Sequence, residues 1–212
     1  MTALKLSPPA RSQFLGSNFR LIFPQAINLL RSGDHQAVDL GDALWACDVD
    51  TTDLSLAQGG SYKWLLARLR VIGSLYLFDN ERLCPLAYYP YVAGASPWGS
   101  PMVAAVHQDT STIDCTGFAP GAIISAGDYG HWDDGPVRML HICGPAVADA
   151  SGNATISVEP PPPPSATATL PVPFVMEKAS CEMTLTAAKL PFDAASRTQK
   201  LSLSGVQAIR RT

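Results

Sequence analysis

Apolar and polar residues alternate along most of this chain, and one segment alone carries a helical period. Ala154-Thr155-Ile156-Ser157-Val158-Glu159 is the cleanest case: Ala154, Ile156 and Val158 face one way, while Thr155, Ser157 and Glu159 face the other. That period of two predicts a half-buried strand. Trp45, Cys47 and Val49 share a face within 44–49, and Phe19, Leu21 and Phe23 within 18–23, where Pro24 ends the strand or sets it at an edge. Further strands are predicted over 36–40, 74–78, 102–106, 111–115, 129–132, 137–143, 174–178, 181–186 and 200–204. Residues 25–30 suit a short helix or a strand. Turn signals separate these runs: Ser32-Gly33-Asp34, Gly41-Asp42, Phe118-Ala119-Pro120-Gly121, Asp133-Asp134-Gly135-Pro136 and Ala150-Ser151-Gly152-Asn153.

The helix is expected over 55–70. Ser55 and Gln58 form a capping box, and Tyr62, Leu65, Leu66 and Leu69 recur at i, i+3, i+4 and i+7 as one apolar stripe. Lys63, Arg68 and Arg70 mostly fall off it. Gly59-Gly60 costs about 1 kcal/mol per glycine relative to alanine. The first turn therefore frays, or the glycines serve close backbone packing.

Two segments break the pattern. Residues 80–101 interleave Pro85, Pro90, Pro97 and Pro101 with Tyr88, Tyr89, Tyr91 and Trp98, forming a long aromatic-proline loop. Loops of this length are ordinarily functional or contact-making. Stacking of a sugar is one use; ordering against the chain's own domain or a neighbouring subunit is the plainer one. Residues 160–164 are five consecutive prolines, a stiff polyproline II spacer. The expected architecture is mainly β: an N-terminal arm over 1–17, then a single β-sandwich domain over 18–212 with one helix packed on the sheet. A chain of 212 residues is long enough for one such self-sufficient domain.

Charged residues make up only 16% of the chain, which leaves more neutral surface than a solitary soluble protein commonly shows. Cover by neighbouring subunits, or a surface rich in Ser, Thr, Gly and Pro, would account for it. The net charge of −3, with no basic cluster beyond Arg210-Arg211, argues against duplex DNA binding by a basic face. Cys47, Cys84, Cys115, Cys143 and Cys181 are odd in number and widely spaced, without a C-x-x-C pair. They read as free buried cysteines, consistent with synthesis in a reducing cytosol. The N-terminal residues lack a secretory pattern, and no run of about 18 apolar residues predicts a membrane span.

Recognisable chemistry is absent. Nucleophile-elbow, dinucleotide, P-loop and zinc-protease motifs are all missing. His131 and His141 could face each other across the Asp133–Gly135 hairpin, near Asp128, Asp133 and Asp134. Turn aspartates and solvent-facing histidines explain the same residues without a metal. The expectation is no enzyme, with no catalytic, cofactor or metal-binding residue and no cofactor.

The order of three stretches resembles distal tail proteins of long-tailed, siphovirus-like bacteriophages and related gene-transfer-agent and prophage tail proteins. The first stretch ends in Leu44-Trp45-Ala46-Cys47-Asp48-Val49. The second is the capped helix with Tyr62-Lys63-Trp64-Leu65-Leu66-Ala67-Arg68-Leu69-Arg70, then Gly73 and Leu75-Tyr76-Leu77-Phe78-Asp79. The third runs from Gly117-Phe118-Ala119-Pro120-Gly121 through Ala126-Gly127-Asp128-Tyr129, Leu140-His141 and Asp149-Ala150-Ser151-Gly152-Asn153-Ala154 to Val158-Glu159-Pro160-Pro161. The likeness covers roughly 19–185. It departs from the family at Gly59-Gly60 and in the longer proline run.

The resemblance implies a β-sandwich core carrying the helix, and a structural virion protein. Copies would close into a ring, usually of six, at the tail tip or baseplate, joining the tail tube protein to the central hub. It implies location in the virion after synthesis in the host bacterial cytoplasm. Its functional positions are interface surfaces rather than catalytic residues. Residues 1–17 and the 80–101 loop are the expected contact segments. The alternative is a carbohydrate-binding β-sandwich that contacts the host cell surface through the aromatic loop.

Overall fold

The computed structural model describes residues 14–29, 35–39, 43–72, 74–79, 82–89, 96–134, 137–162, 169–194 and 197–208. The chain opens with strands β1 (Phe14–Ile22), β2 (Gln25–Leu29), β3 (His35–Asp39) and β4 (Leu44–Thr51). Helix α1 (Leu56–Ile72) and β5 (Leu75–Phe78) follow, then a single 3-10 turn at Leu86–Tyr88. Next come β6 (Gly99–His107), β7 (Thr112–Phe118), β8 (Ile123–Ile124), β9 (Asp128–Asp134), β10 (Val137–Cys143), β11 (Ala146–Val147), β12 (Ala154–Glu159) and β13 (Val172–Pro173). The last are β14 (Ser180–Lys189), β15 (Phe192–Asp193), β16 (Thr198–Gln199) and β17 (Ser202–Gln207).

These strands build a mainly β, sandwich-like fold of antiparallel sheets with one α-helix. Five form one sheet in the order β1-β4-β17-β14-β5, and six form a second in the order β13-β6-β7-β12-β10-β9. The pairs β8–β11, β15–β16 and β2–β3 are small accessory ladders. Alternation decides which side chains go inside. Along β12 the buried and exposed residues follow the sequence pattern position by position, and Trp45, Cys47 and Val49 of β4 are all buried.

β9 and β10 join the two layers. Their register pairs Leu140 with His131 and His141 with Gly130. Tyr129, Leu140 and Ile142 therefore pack with the first sheet, around Trp45, Cys181, Met183 and Leu203. Trp132 and Cys143 point the opposite way, into a second core with Ile113, Ile156 and Phe174. Trp45 crosses the junction: its Nε1 donates to Leu140 O at 2.6 Å, and its ring meets Tyr129 edge-on at 5.5 Å. A buried Trp anchored by its one polar atom combines large apolar burial with a satisfied donor.

The helix begins as its capping box requires. Ser55 N donates to Gln58 Oε1 at 2.9 Å, and Gln58 N donates to Ser55 Oγ at 3.4 Å. Tyr62 is buried and Leu66 half-buried, as the stripe predicts; the side chains of Leu65 and Leu69 lie outside the described set. Gly59 is buried because Gln199 of β16 occupies the space a Cβ would need, whereas a Cβ at Gly60 would meet nothing. One glycine thus serves close packing and the other faces open space.

Several predicted elements move. The first strand starts at Phe14 rather than residue 18, because Phe14–Ile22 finds a partner along nearly all of β4. Residues 14–17 are therefore strand rather than arm, and 1–13 lie outside the described residues. Residues 25–29 resolve as a strand paired with β3. Residues 174–178 form no strand: Val175 makes an isolated bridge to His131, and the ladder in this region is β13 on β6. Of the proline run, Pro160 and Pro162 are buried, and residues 163–164 lie outside the described set.

Candidate functional site

The structure does not bring the two histidines of the hairpin together. A ladder with Asp134 opposite Val137 puts His131 and His141 on opposite faces of the sheet. His131 Nδ1 accepts from Ser180 N at 3.1 Å, on the side of the first sheet. His141 lies in the other core, fully buried, with its ring stacked on Trp132 at 4.1 Å and 3°. Its Nδ1 donates to Pro160 O at 2.8 Å, which fixes the proton on Nδ1 and leaves Nε2 without a partner. Burial lowers the His141 pKa from 6.5 to about 4, so the ring is neutral near pH 7.

Two aspartates of the same region hold structure, and the side chain of Asp134 lies outside the described set. Asp128 is buried and accepts Leu86 N and Ser125 N, both at 2.7 Å, tying the aromatic loop to the start of β9. Burial raises its carboxyl pKa, against the pull of those two amides. Asp133 is taken by Arg138, which donates from Nε at 2.7 Å and from Nη2 at 3.1 Å. Among the described residues no group of three or more His, Cys, Asp or Glu side chains is placed to hold a metal ion.

The described part of the aromatic-proline loop is spent largely on its own domain. Trp98 is buried, and Tyr88 packs against it with ring centroids 5.6 Å apart. Tyr88 Oη accepts Ile123 N at 3.1 Å. Tyr89 is 74% exposed, while Pro90 and Tyr91 lie outside the described residues. The family-like turn 149–153 is likewise internal. Asp149 Oδ1 accepts Ser151 N and Asn153 N, each at 2.8 Å, and Gly152 holds φ +79° where a Cβ would meet Phe118 O at 2.3 Å. Only glycine suits that position.

What remains for recognition is surface. Among the described residues, large apolar side chains stand exposed at Ile22 and Phe23, at Phe192, and in two further groups. Leu86, Tyr89, Ile123 and Val147 belong to the 3-10 turn and the β8–β11 ladder, where Ile123 and Val147 are direct partners. Leu56 and Trp64 lie on α1, with the Arg68 guanidinium 5.8 Å from the Trp64 ring centre. The helical period placed Arg68 off the core stripe and gave Trp64 no role. Arg138 and Asp128, which hold the junction and the loop, carry no signal in a single sequence beyond the Ala-Gly-Asp-Tyr cadence around Asp128.

All five cysteines are buried and unpaired. Burial pushes the thiols of Cys47 and Cys115 up to about 12, and those of Cys143 and Cys181 upward as well. No described helix is long and apolar enough to cross a membrane. No protein-family model and no curated protein sequence matches the chain.

Proposed function

We propose that this chain is a structural virion protein, an adaptor at the tail tip of a long-tailed phage or a related tail-like particle. Copies of it close into a ring, of six in the family it resembles, between the tail tube protein and the hub or baseplate proteins. In this reading it is made in the host bacterial cytoplasm, ends in the virion, and is not an enzyme.

One observation carries the reading. Two of the resembling stretches meet where the two cores join, and several of their polar groups hold backbone. Trp45 of the first stretch donates to Leu140 of the third. His141 holds Pro160, Asp128 holds Leu86 and Ser125, and Asp149 closes its own turn. The second stretch supplies α1, whose outer side is exposed. Such an arrangement invests its distinctive residues in shape and leaves surfaces for contact. A carbohydrate-binding role gains no comparable support, because Trp98 and Tyr88 are turned to internal packing.

Immunogold labelling of tailed particles from the source organism tests the reading. An antibody against the chain is expected to decorate the tail tip. Particles of normal composition that contain none of this chain contradict it.

A further inference from the structure

We infer that the outward ridge of α1, centred on Trp64, is the surface by which one copy docks on the acidic outer face of the second sheet of the next copy. The inference rests on the ring-forming reading above and assigns its two complementary patches.

The ridge follows from helical geometry. Gly59, Tyr62 and Leu66 face the fold, so the opposite side presents Leu56, Gly60, Trp64 and Arg68 at successive intervals of four. Leu56 is 57% and Trp64 63% exposed, and Gly60 leaves a gap between them. Trp and Arg are the side chains that most often anchor protein interfaces. The helix is also purely basic: 56–72 contains Lys63, Arg68 and Arg70 and no acidic residue. Among the described residues, no carboxylate forms an ion pair with Lys63 or Arg68.

The complement lies elsewhere on the same chain. Within 96–162 the sole Lys or Arg is Arg138, and Asp133 takes it. The outward set of β12 is Thr155, Ser157 and Glu159. Ser157 pairs with Thr112, and Val158 N donates to Ser111 O at 2.8 Å, which brings Glu159 beside the turn that carries exposed Asp109. Asp114 stands on the same outer face, bonded to Thr155 and held ionised by His107. A hydroxyl-rich, acidic sheet surface thus matches a basic helix bearing one aromatic anchor. Because the two patches differ, their pairing is head-to-tail, the kind of contact that closes rings.

Sedimentation velocity and native mass spectrometry on the full chain test this. The wild type is expected to form a closed oligomer. The variant Trp64→Ala/Arg68→Glu is expected to weaken association by about tenfold or more, with an unchanged thermal midpoint, since both side chains are exposed. In the single variant Arg68→Glu, which keeps the Trp64 anchor, adding Asp109→Lys and Glu159→Lys restores opposite charges and is expected to recover the oligomer. A double variant that assembles like the wild type overturns this assignment and leaves the ring reading standing. A wild type that stays monomeric at high concentration overturns both. A monomer that binds phosphatidylglycerol vesicles through Trp64 gives the ridge to a lipid surface and also overturns the assignment.

Discussion

His141 and Trp132 lie ring on ring, 4.1 Å apart and 3° from parallel, in the core behind the β9–β10 junction. His141 is fully buried, and its Nε2 has no partner. A proton there would create a buried charge with nothing to pair it. The fold therefore favours the neutral ring.

Stability should consequently fall in mild acid. The folded pKa of about 4 lies below the ordinary value of 6.5, so the unfolded chain binds the proton first as pH drops. The contribution is complete above the ordinary value and is lost on descending through that window, amounting to about 3 kcal/mol between neutrality and the folded pKa. Urea unfolding as a function of pH measures it. His141→Phe is expected to flatten this part of the profile; an unchanged acid slope would show that another group governs it.

Arg138 latches one layer to the other. Its guanidinium grips Asp133 twice, donates to Ser180 Oγ at 3.1 Å, and lies 4.4 Å from the Tyr76 ring centre. Ser180 and Tyr76 belong to the first sheet, and Asp133 to the second. Arg138→Lys keeps the charge but loses the fork and the stack. A loss of about 1–3 kcal/mol in denaturant unfolding is expected. A change within measurement error would make the latch a bystander.

Gly59 and Gly60 should respond in opposite directions to alanine. At Gly60 the methyl meets nothing, so helix propensity alone acts and stabilises by about 0.5–1 kcal/mol. At Gly59 a Cβ would lie 1.8 Å from Gln199 Oε1 and 2.7 Å from its Cδ, and Gln199 is buried. Displacing it offsets the gain, and a net loss of about 1–3 kcal/mol is expected. Equal thermal shifts for the two variants would contradict this seating of the helix.

The native protein should resist thiol reagents. Four thiols lie at 1% exposure or less, and Cys84, at 7%, is the least enclosed. With Ellman's reagent at mildly alkaline pH, Cys84 is expected to react first and slowly, and the other four only on unfolding. Rapid labelling of Cys47 or Cys181 in the folded state would place them wrongly.

Local signals were legible and distant pairings were not. Ser55 and Gln58 announced the helix start, and the alternation over 154–159 announced β12, because caps and pleats act within a few residues. The orders β1-β4-β17-β14-β5 and β13-β6-β7-β12-β10-β9 join segments far apart in sequence, which no local pattern encodes. The histidine pair shows how narrow the margin is. Placing His131 and His141 face to face requires a hairpin register shifted by one residue, and one residue reverses every side chain. Arg68 was legible as a residue off the core stripe, but the match between a basic helix and an acidic sheet emerges only once folding has set Asp114 and Glu159 on one face, beside the turn that carries Asp109.

On the proposed reading, this chain works by assembling with copies of itself. Negative-stain electron microscopy of the purified full-length protein addresses it directly. Uniform annular particles with a central hole are predicted, and fields of single small particles at every concentration would contradict it.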